Sequence, residues 1–354
     1  VLEAGFETPG RPCVLLLHGF PELAYSWRKV MPALAAAGYH VLAPDQRGYG
    51  RTTGWSADYD GDLAPFRFTN LVRDALGVVY AFGHRHVAAV IGHDFGSPVA
   101  AWCAVIRPDV FRSVVMMSAP FPGPPAAPFD IANHPLALPE DPVHHELAAL
   151  SRPRKHYQWY YATREANADM VRAPQGLHDF LRAYYHHKSA DWPGNAPTPL
   201  QAWSASELAK LPTYYVMDLD KTMAETVAEE MPDAATIAAN RWLPDDELAV
   251  YATEYERSGF QGGLQWYRCG TSGLFDTELQ TWSDRTIDVP SAFISGLQDW
   301  GIYQRPGVFE TMQSRFCTNM ILCELIDRAG HWVQQEQHER VNQLLLTFLN
   351  KSSA

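Results

Sequence analysis

A chain of 354 residues with 47% apolar content can build one large core, or a core carrying a substantial insertion. Its formal charge of -12 excludes the basic patches that nucleic acids and anionic membrane surfaces require. No run of about 18 apolar residues occurs, which excludes a transmembrane helix, and no basic segment leading into an apolar one opens the sequence.

Residues 1–6 read as a short strand, and Gly10-Arg11-Pro12 as a turn. Residues 13–17 are a continuous apolar run of strand length that leads into His18-Gly19-Phe20-Pro21. From 26 to 37, Trp27, Val30, Leu34 and Ala37 fall near helical spacing, and Gly38 closes the segment. A strand over 40–43 ends in Pro44-Asp45-Gln46-Arg47-Gly48-Tyr49-Gly50. Thr69-Asn70 is expected to cap a helix over 71–82. A strand over 87–91, a helix from Pro98 and a strand over 112–117 follow. This alternation predicts right-handed βαβ units and a parallel sheet, and the unbroken Val/Leu/Ile runs fit strands covered on both faces.

The rhythm breaks at Ser118-Ala119-Pro120-Phe121-Pro122-Gly123-Pro124-Pro125. From 126 to 283 the patterns are helical, over 142–151, 155–170, 176–187, 222–230, 234–241 and 245–257, with almost no strand signal. Strands return over 290–295 and 319–326, with a helix over 308–316 between them. An amphipathic helix over 339–350 closes the chain. The expected architecture is therefore α/β, with a core formed by 1–121 and 284–354 and an all-helical cap over 122–283. A ligand would sit at the carboxyl ends of the strands, under the cap. The five cysteines (Cys13, Cys103, Cys269, Cys317, Cys323) are odd in number and lack metal spacing. Reduced thiols, buried at Cys13, Cys103 and Cys323, and a cytoplasmic location are expected.

The strand over 87–91 ends in Gly92-His93-Asp94-Phe95-Gly96, followed by a helix. Glycines two before and two after the central residue resemble the nucleophile elbow of the α/β-hydrolases, with Asp94 in the place of the usual Ser. In that fold the chain order is nucleophile, acid, His. Asp299, after the strand over 290–295, and His331 in Ala329-Gly330-His331-Trp332 fill that order. Asp94 is ionised at neutral pH and needs no base to attack. Attack on an ester carbonyl would give an unproductive anhydride, whereas attack on an sp³ carbon with a leaving group gives a stable ester. His331, oriented by Asp299, would then activate water against that ester. The oxyanion would form on Asp94 itself, with the backbone N–H groups of Phe20 and Phe95 as donors. An epoxide oxygen as leaving group needs an acid such as a Tyr hydroxyl, whereas a halide needs N–H donors, commonly a Trp after the nucleophile. Phe95 has no such donor, which tilts the reading towards epoxides.

These residues resemble the soluble epoxide hydrolases across nearly the whole chain. His18-Gly19-Phe20-Pro21 matches that family's oxyanion motif, in which the Phe-Pro peptide is typically cis. Asp45-Gln46-Arg47-Gly48-Tyr49-Gly50, the elbow and Gly330-His331-Trp332 match as well. The resemblance implies two cap tyrosines that protonate the epoxide oxygen. Tyr157 in His156-Tyr157-Gln158-Trp159-Tyr160-Tyr161 and Tyr267 in Gln265-Trp266-Tyr267-Arg268 occupy those places. It also implies a strand before the one that begins at Val1, which is expected to be missing or nearly so from the sheet's first edge.

The expected activity is cofactor-free and metal-free conversion of epoxides into vicinal diols. The expected partner is a small apolar epoxide, with no nucleic acid and no membrane insertion; a homodimer is compatible with the sequence. Trp159, Trp266, Trp300 and Trp332 are the expected substrate-lining aromatics. His144-His145 and His186-His187 read as solvated cap positions, since no spaced carboxylates or cysteines accompany them. The rival activities are a haloalkane or haloacid dehalogenase with the same nucleophile, and a non-catalytic ligand-binding protein of the same fold.

Overall fold

The apolar runs pair into one seven-stranded sheet, and a two-stranded ribbon stands apart from it. The computed structural model describes residues 1–127 and 141–352. The part of the expected cap at 128–140 lies outside the described residues. In chain order the strands are β1 (Leu2–Ala4), β2 (Cys13–Leu17), β3 (His40–Ala43), β4 (Ala89–His93), β5 (Val114–Met117), β6 (Arg154–His156), β7 (Val216–Asp218), β8 (Ser291–Gly296) and β9 (Met320–Ile326). The large sheet runs β1-β3-β2-β4-β5-β8-β9, and all its pairings are parallel except that of β1 with β3.

The strands β2, β4 and β5 are buried along their whole length. Side chains alternate between the two faces of a strand. Leu15, Leu17, Val90 and Met116 enter one core, while Val14, Leu16, Ile91, Val115 and Met117 enter the other. Helices α2 (Phe68–Ala81) and α3 (Gly96–Ile106) cover the first face through Leu71, Val72, Val79 and Val99. Helix α1 (Met31–Ala36) and the C-terminal helix His338–Ser352 cover the second through Leu34, Val341, Leu345 and Phe348. With both faces covered, apolar residues at every position are what the sheet needs.

The chain between β5 and β8 forms the cap, and it departs from expectation in two places. It contains the antiparallel ribbon β6–β7, whose three-residue strands are too short to show a period of two. It also contains a helix, Gln261–Ser272, outside the expected helical segments, that carries three glycines. Two of these glycines serve packing. A Cβ on Gly262 would overlap the Gly48 carbonyl, and one on Gly263 would press on the Phe20 and Tyr49 rings. The helix thus lies directly on the core loop that follows β3. Gly262→Ala is expected to lower stability by about 1–3 kcal/mol through overpacking, measured as a lower midpoint of thermal or urea unfolding.

Cys13, Cys103 and Cys317 are buried free thiols, but Cys323 is exposed, because β9 is the edge strand of the sheet. Among the described residues, no helix is long and apolar enough to cross a membrane.

Candidate active site

Asp94 directly follows β4 and has φ 51°, a left-handed backbone that a non-glycine residue rarely adopts. The turn is tight: a Cβ on Gly92 would collide with the Gly96 carbonyl, and one on Gly96 with the carbonyls of Leu17 and His18. Two glycines therefore let the strand turn straight into α3. This lifts the Asp94 side chain above the carboxyl end of the sheet, where strained residues cluster at functional sites.

The loop after β2 supplies the first partner. Phe20 N–H donates to Asp94 Oδ1 at 2.8 Å, and the Phe20–Pro21 peptide is cis. Three cap phenols hold this loop: Tyr185 donates to the Pro21 carbonyl (3.0 Å), Tyr255 donates to the Glu22 carbonyl (3.1 Å), and Tyr251 shares a hydrogen bond with Ser26 Oγ (2.8 Å). The Phe95 N–H stands at the N-terminal end of α3 and makes no hydrogen bond to the carboxylate in this structure. Of the two expected donors, the resting geometry engages Phe20.

His331 bridges the two aspartates. Its Nδ1 lies 3.1 and 3.2 Å from the two Asp299 oxygens, and its Nε2 lies 3.1 Å from Asp94 Oδ2. Asp299 is fixed by the Gly301 N–H (2.7 Å) and the Ser295 hydroxyl (3.2 Å). All three side chains are buried. Burial alone would raise the Asp94 carboxyl; the His331 hydrogen bond and charge outweigh it and hold Asp94 far below the usual carboxylate range. Asp299 is lowered against burial for the same reason. Burial and the charge of Lys188 pull the His331 imidazole down, and Asp299 and Asp94 more than reverse this.

Above the carboxylate lies a cluster of rings. Tyr267, on the helix Gln261–Ser272, packs edge-on against Phe20 (5.4 Å between ring centres) and Phe95 (5.2 Å), the two residues that flank Asp94 in space. Tyr157 opens the short helix Tyr157–Tyr161, and its ring lies 5.9 Å from that of Tyr267. Its hydroxyl donates to Gln304 Oε1 at 3.1 Å and accepts from Gln158 Nε2 at 3.2 Å. Burial, then the Asp94 charge, push both phenols above the ordinary Tyr value. Both therefore stay protonated at neutral pH, within electrostatic reach of the carboxylate.

The four tryptophans divide. Trp300 follows Asp299, is buried, and keeps its indole N–H without a protein partner. The other three make packing contacts. Trp266 donates to the Arg47 carbonyl (2.9 Å) and ties the cap to the core. Trp332 donates to the Tyr185 carbonyl (2.8 Å) and packs against the Tyr185 ring (4.3 Å between ring centres). Trp159 packs on His144 (4.0 Å between ring centres) and His156 (5.1 Å). Aromatic density in the cap serves packing as much as lining, which composition alone cannot separate.

Three charged or titratable groups were not legible in the sequence. Glu22 is fully buried; it accepts from His93 Nδ1 (2.6 Å), Gly19 N–H (3.1 Å) and the side chains of Gln334 and Gln335 (2.9 and 3.3 Å). His93, also buried, points Nε2 at the His331 carbonyl (2.7 Å). The two ring nitrogens of His93 thus meet Glu22 Oε2 and the His331 carbonyl, linking the oxyanion loop to the His331 loop. The signal was their adjacency to the oxyanion motif and to Asp94. Lys188 is the third. It follows His186-His187, which are buried rather than solvated; His187 is wedged between Trp192 (4.5 Å) and Tyr214 (4.8 Å).

The arrangement holds an ionised carboxylate with one oxygen on a backbone donor and the other facing an imidazole that a second carboxylate orients. It can attack an electrophilic carbon, and it has a base to hydrolyse the product.

A family model described as the alpha/beta hydrolase fold matches residues 12–337. Epoxide hydrolase A of Mycobacterium tuberculosis is 34% identical over 362 residues, covering 99% of this chain and 93% of that protein. An epoxide hydrolase of Caballeronia sordidicola is 28% identical, covering 98% and 90%. Among solved structures, epoxide hydrolase A from Mycobacterium thermoresistibile superposes with a TM-score of 0.74 at 29% identity, over 98% of this chain and 93% of that one. Potato (Solanum tuberosum) epoxide hydrolase I superposes at 0.72 with 26% identity, over 99% and 94%.

Proposed function

The chain belongs to the epoxide hydrolases of the α/β-hydrolase superfamily and is an enzyme that hydrolyses epoxides, and on that premise we propose that it does so through an ester on Asp94. Oδ2 attacks an epoxide carbon. The C–O bond breaks, and the freed oxygen takes a proton from Tyr267 or Tyr157. Oδ1 becomes the ester carbonyl oxygen, already on the Phe20 N–H. His331 then takes a proton from water, which attacks the acyl carbon, and the oxyanion is held at Phe20 and, as it tilts, Phe95. The acyl–oxygen bond breaks, His331 returns the proton to the departing diol, and Asp94 keeps one solvent oxygen. The Asp94 carboxyl so formed loses its proton to solvent, from which the phenolate regains one.

The single observation that carries this reading is the division of labour on Asp94. One oxygen accepts from a backbone N–H at 2.8 Å while the other faces His331 Nε2 at 3.1 Å. A Ser-type site has no such split nucleophile.

A panel of styrene-type, cyclic and fatty epoxides, assayed for diol with parallel halide release from haloalkanes, tests it. Diol without halide is the expected result; halide release at comparable rates would favour dehalogenation. Tyr267→Phe is expected to slow ester formation by about 10²-fold. Tyr157→Phe, with its hydroxyl shared with Gln304, is expected to have the smaller effect. Ester hydrolysis should be spared in both, as read in single-turnover experiments.

A further inference from the structure

One buried cation has no part in the steps above. Lys188 directly follows the helix Leu177–His187 and is 2% exposed. Its carbonyl accepts the His331 N–H at 2.9 Å, so the two residues are joined through the backbone. Its Nζ lies over four rings: 4.9 Å from the centre of Tyr215, 5.4 Å from Tyr184 and Trp332, and 5.7 Å from Tyr214. Electron-rich ring faces suit an ammonium. Asn195 fixes this loop, donating to the carbonyls of His187 (3.0 Å) and Ser189 (2.7 Å) and accepting from the Tyr214 hydroxyl (2.6 Å). A charge buried this deeply without a carboxylate in contact is costly. A Met or Leu would fill the space without that cost.

Building on the Asp94-ester reading, we propose that Lys188 is a positioning residue for the second half-reaction: its ammonium, fixed on ring faces that include Trp332, whose ring lies 4.7 Å from that of His331, keeps the His331 imidazole neutral once Asp94 is esterified. In the resting enzyme, carboxylates on both sides of His331 favour the imidazolium. Ester formation removes the Asp94 charge but leaves Asp299, which still favours the imidazolium. A protonated His331 cannot take a proton from water. Lys188 is the opposing charge, and after burial it is the strongest influence against protonation of His331. Burial lowers the Lys188 ammonium below the usual lysine value, and Asp94, Asp299 and Glu22 support its charge; the last two remain when Asp94 is esterified.

The other titratable groups around His331 are shared by every variant below. His93 lies 5.1 Å away, ring to ring, and is paired with Glu22. Glu336, which burial pushes up to about 8, accepts from the N–H groups of Gly330 and Trp332 on either side of His331. The phenols of Tyr184, Tyr214 and Tyr215 stand well above the ordinary Tyr value and stay neutral. A change of pH profile on replacing Lys188 therefore reports Lys188.

Removing a like charge lets the imidazole hold its proton to higher pH. With styrene oxide as the probe, ester formation and decay are followed by rapid quench and intact mass between about pH 5 and 9. In Lys188→Met, the acidic limb of ester decay should move up by about one pH unit, a roughly tenfold slower decay below the limb. The pH profile of ester formation should stay in place, because Asp94 titrates far below this range. Lys188→Arg should restore the wild-type limb. Lys188→Gln is read in the same way should Lys188→Met not fold. Equal decay limbs in the wild-type and uncharged variants, or no restoration by Arg, overturn the role of Lys188. If no ester mass forms even in wild type or His331→Gln, the Asp94-ester reading itself fails, and this role falls with it.

Discussion

His331→Gln is expected to form the ester and then stall, so that the mass of the substrate accumulates on the protein. Asp94 needs no base for its own attack, being held ionised by its surroundings. The first step should therefore proceed when the imidazole is gone, with Gln still able to donate towards Oδ2. Hydrolysis is different: water is a poor nucleophile, and the imidazole oriented by Asp299 is the base within reach of the acyl carbon. Loss of a general base should slow ester decay by about 10²–10⁴-fold. Intact-mass measurement after mixing with styrene oxide should show a near-stoichiometric adduct on a peptide containing Asp94. A His331→Gln enzyme that turned over at the wild-type rate, with no adduct, would contradict the two-step scheme.

Asp94→Ala should abolish diol formation, with a loss on the order of 10⁵-fold or more, as expected for removing a nucleophile whose partners act only through it. The same substitution also leaves the Phe20 N–H and the His331 Nε2 without their acceptor. The mutant site can still offer phenols and an imidazole to a bound epoxide, so any residual activity measures direct attack by water. Residual diol formation within tenfold or so of wild type would mean that water, and not Asp94, opens the ring.

The sheet was legible because its strands are buried on both faces, so that β2, β4 and β5 appear as unbroken apolar runs. The elbow was legible because a tight turn forces glycines at fixed offsets from Asp94. The cap was less so. Gln261–Ser272, which positions Tyr267, hides behind glycines that are there for close approach to Gly48 and Phe20, a tertiary reason that local propensity cannot contain. The helix expected from Thr69-Asn70 begins at Phe68 instead, with no side-chain cap. Glu22, His93 and Lys188 share one cause of concealment. Each is a charged or titratable residue whose type suggests solvent, and each is buried because a partner far away in the chain receives it. Glu22 meets His93 and Gln334; Lys188 meets four rings from three stretches of the chain, Tyr184, Tyr214–Tyr215 and Trp332. Trp159, Trp266 and Trp332 make hydrogen bonds and ring contacts that composition could not separate from lining, since an aromatic in a cap packs a core as readily as it lines a site.

Heavy-oxygen water provides the most direct measurement. With enzyme in excess over an epoxide, one round of reaction in ¹⁸O water should yield diol without the label and place one ¹⁸O in the Asp94 carboxylate, detected in the peptide that contains it. Diol carrying the heavy oxygen from that single round, with Asp94 unlabelled, would show that water attacks the epoxide directly and that no ester forms.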